Sequence, residues 1–231
     1  MANAVEKMKA LEIEALKLVY FPVPKVASTS MKNLFFELEH GKPYQKPGKG
    51  ANGLGIHNQF VHARQFYNYD HSRFENYARI AVIRDPAERI LSAYSNKVER
   101  NGELSEENID LKLAEVLKLE PDPTRHVFIK NLDKYRLLSP SIYHHTDPIS
   151  KYLGPNLNYY TDIYKIGQLD RLAEQLSLLI GREVSIEHQN KSSKPASFQS
   201  LGPPAQRSLL SYCAGDYALL RDYYQIPKLR G

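Results

Sequence analysis

The chain is short of cysteine, of tryptophan and of long apolar runs. Cys213 is the one cysteine among 231 residues, which excludes an intrachain disulfide and any multi-cysteine zinc site and fits a reducing compartment. No stretch approaches the roughly 18 apolar residues of a membrane span, so no transmembrane segment is expected. The start, Met1-Ala-Asn-Ala-Val-Glu-Lys7, lacks the basic and then apolar pattern of a secretory signal, which predicts a protein of the compartment in which it is made. Charge of one sign is also scarce: 31 Lys and Arg face 26 Asp and Glu, a formal +5, a mild bias toward anionic partners that names none of them. There is no concentrated basic run and no nucleic-acid motif. With 42% apolar and 25% charged residues, neither disorder nor a disulfide scaffold fits, and residues 1–231 read as a single domain. The 16 tyrosines read as amphipathic residues at the edge of a core.

What is present is an alternation of strand and helix patterns. Leu16 to Phe21 is a β-prone apolar run, stopped by Pro22 and Pro24, which cannot continue a central strand. After the loop Lys25-Val-Ala-Ser-Thr-Ser30, residues Met31, Leu34, Phe35 and Leu38 fall at helical spacing, with Ser28, Thr29 or Ser30 as the expected N-cap. Gly41 to Gly55 is rich in glycine and proline and carries Lys42, Lys46 and Lys49; it reads as a mobile surface excursion. Ala78 to Ile83 is a second buried strand, and Asp85-Pro86-Ala87-Glu88 supplies an N-cap, an N1 proline and a capping-box glutamate for a helix from Pro86 to Glu99. Further helices are predicted over Ser105 to Leu119 and from Asp122-Pro123 to Leu138. Asp162 to Ile166 is a strand candidate, and Leu169 to Ile180 a helix closed by Gly181. Beyond the polar loop His188 to Lys194, helices are expected from Pro204 to Cys213 and around Tyr217 to Tyr224. This order predicts an α/β fold with a mainly parallel sheet, whose ligands gather beyond the carboxyl ends of the strands. Lys25 and Arg84 both fall at such ends.

The loop after the first strand combines a cation, three hydroxyls and successive backbone amides at a helix N-terminus, which in physical terms is an anion site. Lys25 is placed to neutralise charge gathering on a leaving oxygen. The loop lacks the glycines and the closing Gly-Lys-Ser/Thr of a Walker A sequence. After the second strand, Arg84 can fork onto another phosphate, with Ser92 adding a hydroxyl from the helix. Asp85 and Glu88 read as capping groups.

Pro24-Lys-Val-Ala-Ser-Thr-Ser30 resembles the 5′-phosphosulfate loop of the Golgi-type carbohydrate sulfotransferases and their bacterial relatives. Arg84-Asp-Pro-Ala-Glu-Arg-Ile-Leu-Ser-Ala-Tyr94 resembles their 3′-phosphate motif. His145-Thr-Asp-Pro148, Tyr164-Lys-Ile-Gly-Gln-Leu169 and His188-Gln-Asn-Lys-Ser-Ser193 are similar segments, so the resemblance spans most of the chain. It implies a P-loop-like, three-layer α/β/α fold and transfer of a sulfuryl group from 3′-phosphoadenosine 5′-phosphosulfate (PAPS) to a hydroxyl of a carbohydrate or glycolipid. The product nucleotide is then adenosine 3′,5′-bisphosphate (PAP), and no metal is required. By the same resemblance Lys25 meets the bridging oxygen and the sulfuryl group. Val26 and Ala27 to Ser30 wrap the 5′-phosphate, Arg84 and Ser92 hold the 3′-phosphate, and Lys191 and Ser192 lie in a loop that closes near the nucleotide. With no N-terminal anchor of the kind the Golgi relatives carry, the expectation is a cytoplasmic, bacterial-type enzyme or, alternatively, a trimmed catalytic domain of a membrane-anchored one.

The acceptor hydroxyl needs a general base. His62 lies about where uronosyl 2-O-sulfotransferases carry a catalytic His-x-His pair, but here the histidines are His57 and His62. His145 matches a His-x-x-Pro element of the chondroitin branch, and a carboxylate is a further option. Two other classes are weighed against this reading: a nucleotide-dependent kinase using the same anion loop, which the missing Walker A pattern disfavours, and a non-enzymatic nucleotide or nucleic-acid binding module. No nucleic-acid partner is expected.

Overall fold

The computed structural model describes residues 11–45, 55–56, 65–186 and 197–230. Its strands are β1 (Leu11–Ile13), β2 (Leu18–Phe21), β3 (Ala78–Ile83) and β4 (Asp162–Lys165), and they form one sheet in that order. The described helices are α1 (Ser28–His40), α2 (Pro86–Tyr94), α3 (Leu111–Leu117), α4 (Arg125–Lys130), α5 (Leu132–Leu138), α6 (Pro140–Thr146), α7 (Ser150–Leu153), α8 (Leu169–Ile180), α9 (Pro203–Tyr212) and α10 (Ala214–Leu219), with short 3₁₀ turns between some of them. β2, β3 and β4 run parallel and β1 is antiparallel to β2. The fold is α/β with a mainly parallel sheet, as expected, and of the P-loop-like kind. No helix among the described residues is long and apolar enough to cross a membrane.

The chain divides into two compact units, each drawn from two stretches: Met1–Ile83 with Ile149–Gln189, and Arg84–Pro148 with Asn190–Gly231. The first contains the sheet. β2 is buried along its whole length, as a strand between two neighbours must be when helices cover its faces. It begins at Leu18 rather than Leu16, because Glu14–Leu16 form a 3₁₀ turn and Lys17, at φ 47°, reverses the chain from β1. β1 was not expected. Its signal is three residues of alternation: Leu11 and Ile13 are buried while Glu12 takes an ion pair from Arg73 at 3.0 Å. The carboxyl end of β2 is anchored by rings. Phe21 meets Tyr69, Tyr160, Tyr159 and Phe74 edge-on at 5.1, 5.5, 5.6 and 5.9 Å, a geometry that adds to the gain from simple burial. Several tyrosines are thus core residues here. Gly154 is required beside this cluster, because at φ 76° a Cβ would stand 2.8 Å from the Phe66 ring. α8 buries Leu169, Leu172, Ala173 and Leu176 and ends at Gly181, φ 73°, as its sequence predicts.

The second unit is helical around a core that includes Ile90, Leu91, Tyr94, Phe128, Leu132, Tyr135, Ile142, Leu209 and Tyr217. α2 stops at Tyr94 instead of Glu99, and Ser95–Arg100 continue as a wider π-helical turn. The helix expected over Ser105 to Leu119 shrinks to α3. Asn108 reaches back to the Gly102 carbonyl at 2.9 Å and to the Ser105 hydroxyl at 3.0 Å, and Asp110 then caps Lys112 and Leu113; short polar side chains compete with a helix in this way. The helix expected from Asp122 to Leu138 is two helices. Asp122 is left-handed at φ 47°, Thr124 is the actual cap of α4, and Asn131 breaks the run by turning its amide onto the Val127 carbonyl at 3.0 Å. α6 and α7 were unread in the sequence, and α9 starts one residue before the expected Pro204. The last helix, expected around Tyr217 to Tyr224, is α10 and ends at Leu219. Cys213 is buried between α9 and α10, and burial pushes its thiol well above the ordinary range.

Candidate functional site

Two strand-to-helix turns carry the predicted chemistry, and β2 and β3, which lead into them, are adjacent and parallel with Phe21 opposite Ala81. Their carboxyl ends therefore lie at one edge of the sheet.

The turn after β2 belongs to the first unit and is built from backbone. Lys25 and Ala27 both adopt left-handed conformations, φ 66° and 49°, which cost an ordinary residue about 1–2 kcal/mol each. Between them Val26 is fully buried, its N–H donates to the Val23 carbonyl at 3.3 Å, and its own carbonyl accepts from the Tyr20 hydroxyl at 3.5 Å. That anchor holds the loop in its shape. The expected N-cap at Ser28, Thr29 or Ser30 is corrected: α1 begins at Ser28 and Ala27 stands at the cap position. An alanine has no side chain to accept from the first-turn amides, which an α-helix leaves without intrahelical partners. Lys25, Ser28 and Thr29 are half-buried and Ser30 is 4% exposed. An uncapped helix start with a cation before it and hydroxyls within it favours an anion.

The turn after β3 belongs to the second unit and is built from side chains. Asp85 is the N-cap of α2, as expected, and accepts from the Glu88 N–H at 3.0 Å, with Pro86 at the first helical position. Glu88 turns its carboxylate toward Arg84 at 3.8 Å. The Arg84 side chain is 18% exposed and its Nε is buried with no hydrogen-bond partner among the described residues. Burial lowers the Arg84 pKa, while Glu88 and Asp85 oppose the shift; a guanidinium keeps its charge regardless. Ser92 is half-buried one turn beyond Glu88, and the neighbouring Ser95 Oγ is buried without a partner among the described residues. Tyr224 shares this environment: burial, Asp85 and Glu88 push its hydroxyl up to about 12, so it is a neutral hydrogen-bond donor near pH 7.

The second motif also holds a residue whose role was not read from the sequence. Arg89 is fully buried and donates to the carbonyls of Asp147 at 2.6 Å and His145 at 3.3 Å, and to the Asp216 carboxylate at 3.3 Å. The Asp147 carboxylate pairs with Arg136 at 2.6 Å. The His145-Thr-Asp-Pro segment is thus tied to the Arg84-to-Tyr94 motif through its backbone. His145 itself is half-buried at the end of α6, with Nδ1 2.8 Å from the Ser141 carbonyl. A fully buried arginine is legible only as a pattern, since in Glu88-Arg89-Ile90-Leu91 it lies on the face that a helical wheel gives to the core. His57, His62, Lys191 and Ser192, like Lys46 and Lys49, lie outside the described residues; Lys42 is exposed. No group of His, Cys, Asp and Glu suited to a metal occurs among the described residues.

Comparison with known proteins bears on the family of the chain. A segment of 83 residues, 35% of this chain and 24% of the relative, is 32% identical to carbohydrate sulfotransferase 11 of Danio rerio. The match thus spans about a quarter of that protein's length. No solved structure matches. The profile of the sulfotransferase family matches residues 13–212, a span that holds the three parallel strands β2, β3 and β4 and both turns, and the chain belongs to the sulfotransferase family.

Proposed function

We propose that the protein transfers a sulfuryl group from PAPS to a hydroxyl of a carbohydrate or glycolipid, and that residues 1–231 act as one catalytic domain. The observation that carries this reading is the pair of cation-bearing turns after two adjacent parallel strands. A donor with two separate anionic groups needs two separate cationic sites. The residues fit such a donor. An alanine-capped helix start suits a phosphate that brings its own acceptors, and the Arg84 Nε has a proton with no acceptor among the described residues.

In this reading the amides and hydroxyls of Ala27 to Ser30, with the Val26 backbone, hold the 5′-phosphate, and Arg84 and Ser92 hold the 3′-phosphate. Lys191 and Ser192 are assigned to the nucleotide by the family resemblance alone. Lys25 neutralises the bridging oxygen as its bond to sulfur breaks, while the acceptor oxygen forms the new bond and passes its proton to a base. His62 is the first candidate for that base, then His57 and His145. A sulfuryl group carries less charge than a γ-phosphoryl group, so positioning and electrostatics suffice and no metal is required. The carbohydrate acceptor is supported by the name of the Danio rerio relative. A cytoplasmic enzyme, or the catalytic domain of an anchored one, fits the sequence.

The test is ligand-dependent stability. At about 100 times its dissociation constant, PAP is expected to stabilise the protein by about 2.7 kcal/mol, read as a rise in Tm. ATP with magnesium or an oligonucleotide should give a smaller rise. An equal or larger rise with either, or none with PAP, would overturn the proposal.

A further inference from the structure

The turn that carries Arg84 is held from the far end of the chain. Tyr217, on α10 and 3% exposed, places its hydroxyl 3.0 Å and 3.1 Å from the two carboxylate oxygens of Asp85. Asp85 Oδ1 also accepts from the Glu88 N–H at 3.0 Å, so one carboxylate both caps α2 and accepts the tyrosine hydrogen bond. The preceding residue, Asp216, pairs with Arg89 at 3.3 Å. Two consecutive residues of α10 therefore grip the cap of α2 and the residue four positions on. Arg84 is joined directly to that cap. Burial, and after it the Asp85 charge, holds the Tyr217 hydroxyl far above its ordinary range, so it is a donor at every working pH. For the helix start alone this bond is superfluous, since an aspartate caps a helix without help. What the bond adds is a fixed direction for the extended residue, φ −48° and ψ 127°, from which Arg84 departs.

We propose that Tyr217 is a positioning residue for the 3′-phosphate: by gripping Asp85 it sets the direction in which Arg84 meets an anion, and the preference for a 3′-phosphorylated adenine nucleotide depends on that grip. The proposal rests on the reading of Arg84 given above. A hydrogen bond to a charged group misdirected by a few tenths of an ångström loses much of its strength, whereas the 5′-phosphate, assigned to the other turn, is untouched.

The test uses Tyr217→Phe, which keeps the buried ring, and Asp85→Ser, which keeps a capping oxygen but is too short to reach the Tyr217 hydroxyl. Calorimetry gives the dissociation constants of PAP and of adenosine 5′-monophosphate for each variant. The ratio of the two affinities is expected to fall about tenfold in either single variant, by loss of PAP affinity alone. It should fall no further in the double variant, because both changes break one contact. In turnover assays KM for PAPS should rise more than kcat falls. A preference that survives in folded Tyr217→Phe and in Asp85→Ser overturns the role of Tyr217. Equal weakening of both nucleotides, accompanied by a lowered Tm, also overturns it, because it marks a merely structural bond. A wild-type protein with no preference overturns the reading of Arg84 itself.

Discussion

The two turns are held in shape by opposite means. After β2 the chain spends backbone strain: Lys25 and Ala27 are left-handed, the cap residue has no polar side chain, and Val26 is sunk in the core to hold the shape. After β3 the backbone is ordinary and the side chains do the holding. Asp85 caps, Tyr217 grips Asp85, and Arg89 ties α2 to Asp216 and to two carbonyls of the His145-to-Asp147 segment. A turn made of strained backbone offers amides and dipole, which suits a group whose charge changes during reaction. A turn made of interlocked side chains offers a fixed cation, which suits an anchor that does not react.

If that contrast is right, the second turn should be the fragile one. Replacing Arg89 by Met leaves Asp216 buried without its cation, and a loss of about 3–5 kcal/mol is expected, read from urea unfolding; a loss under about 1 kcal/mol would show the network to be dispensable. The next largest effects separate the roles of the two cations. Lys25→Ala should lower kcat about 100-fold to 1000-fold with little change in PAP affinity. Arg84→Ala should weaken PAP about 10-fold to 100-fold and leave most of kcat at saturating PAPS. The same small effect from both would erase the distinction. The smallest pair concerns the caps and carries opposite signs. Ala27→Gly relieves a left-handed alanine at some entropic cost and should stabilise by about 0.5–1 kcal/mol, whereas Asp85→Ala should destabilise by about 1 kcal/mol or more. Thermal unfolding that moves both variants in one direction would refute the strained-backbone account of the first turn.

Long apolar strands and strongly signalled helix ends were legible before the fold. β3, the end of β2, the Asp85 cap and the whole of α8 with Gly181 follow from local patterns of burial and capping, which do not depend on distant residues. The edge strand β1 was missed because three residues carry too little periodicity. The helix boundaries near Ser105, Asp122 and Asn131 were missed because polar side chains there bond to backbone a few residues away, and that choice depends on which carbonyls the tertiary structure leaves exposed. α6 and α7 carry no comparable signal.

The sequence by itself determined the chemistry on offer: Lys25 with its hydroxyls after one strand, Arg84 with Ser92 after another, and the family resemblance those motifs carry. Motif residues are read from their immediate neighbours, so local spacing is enough to find them. The tertiary structure decided what holds the second motif in place. Asp85 and Tyr217 meet across 132 positions and Arg89 and Asp216 across 127, and contacts of that separation exist only once the chain has folded to satisfy a buried charge.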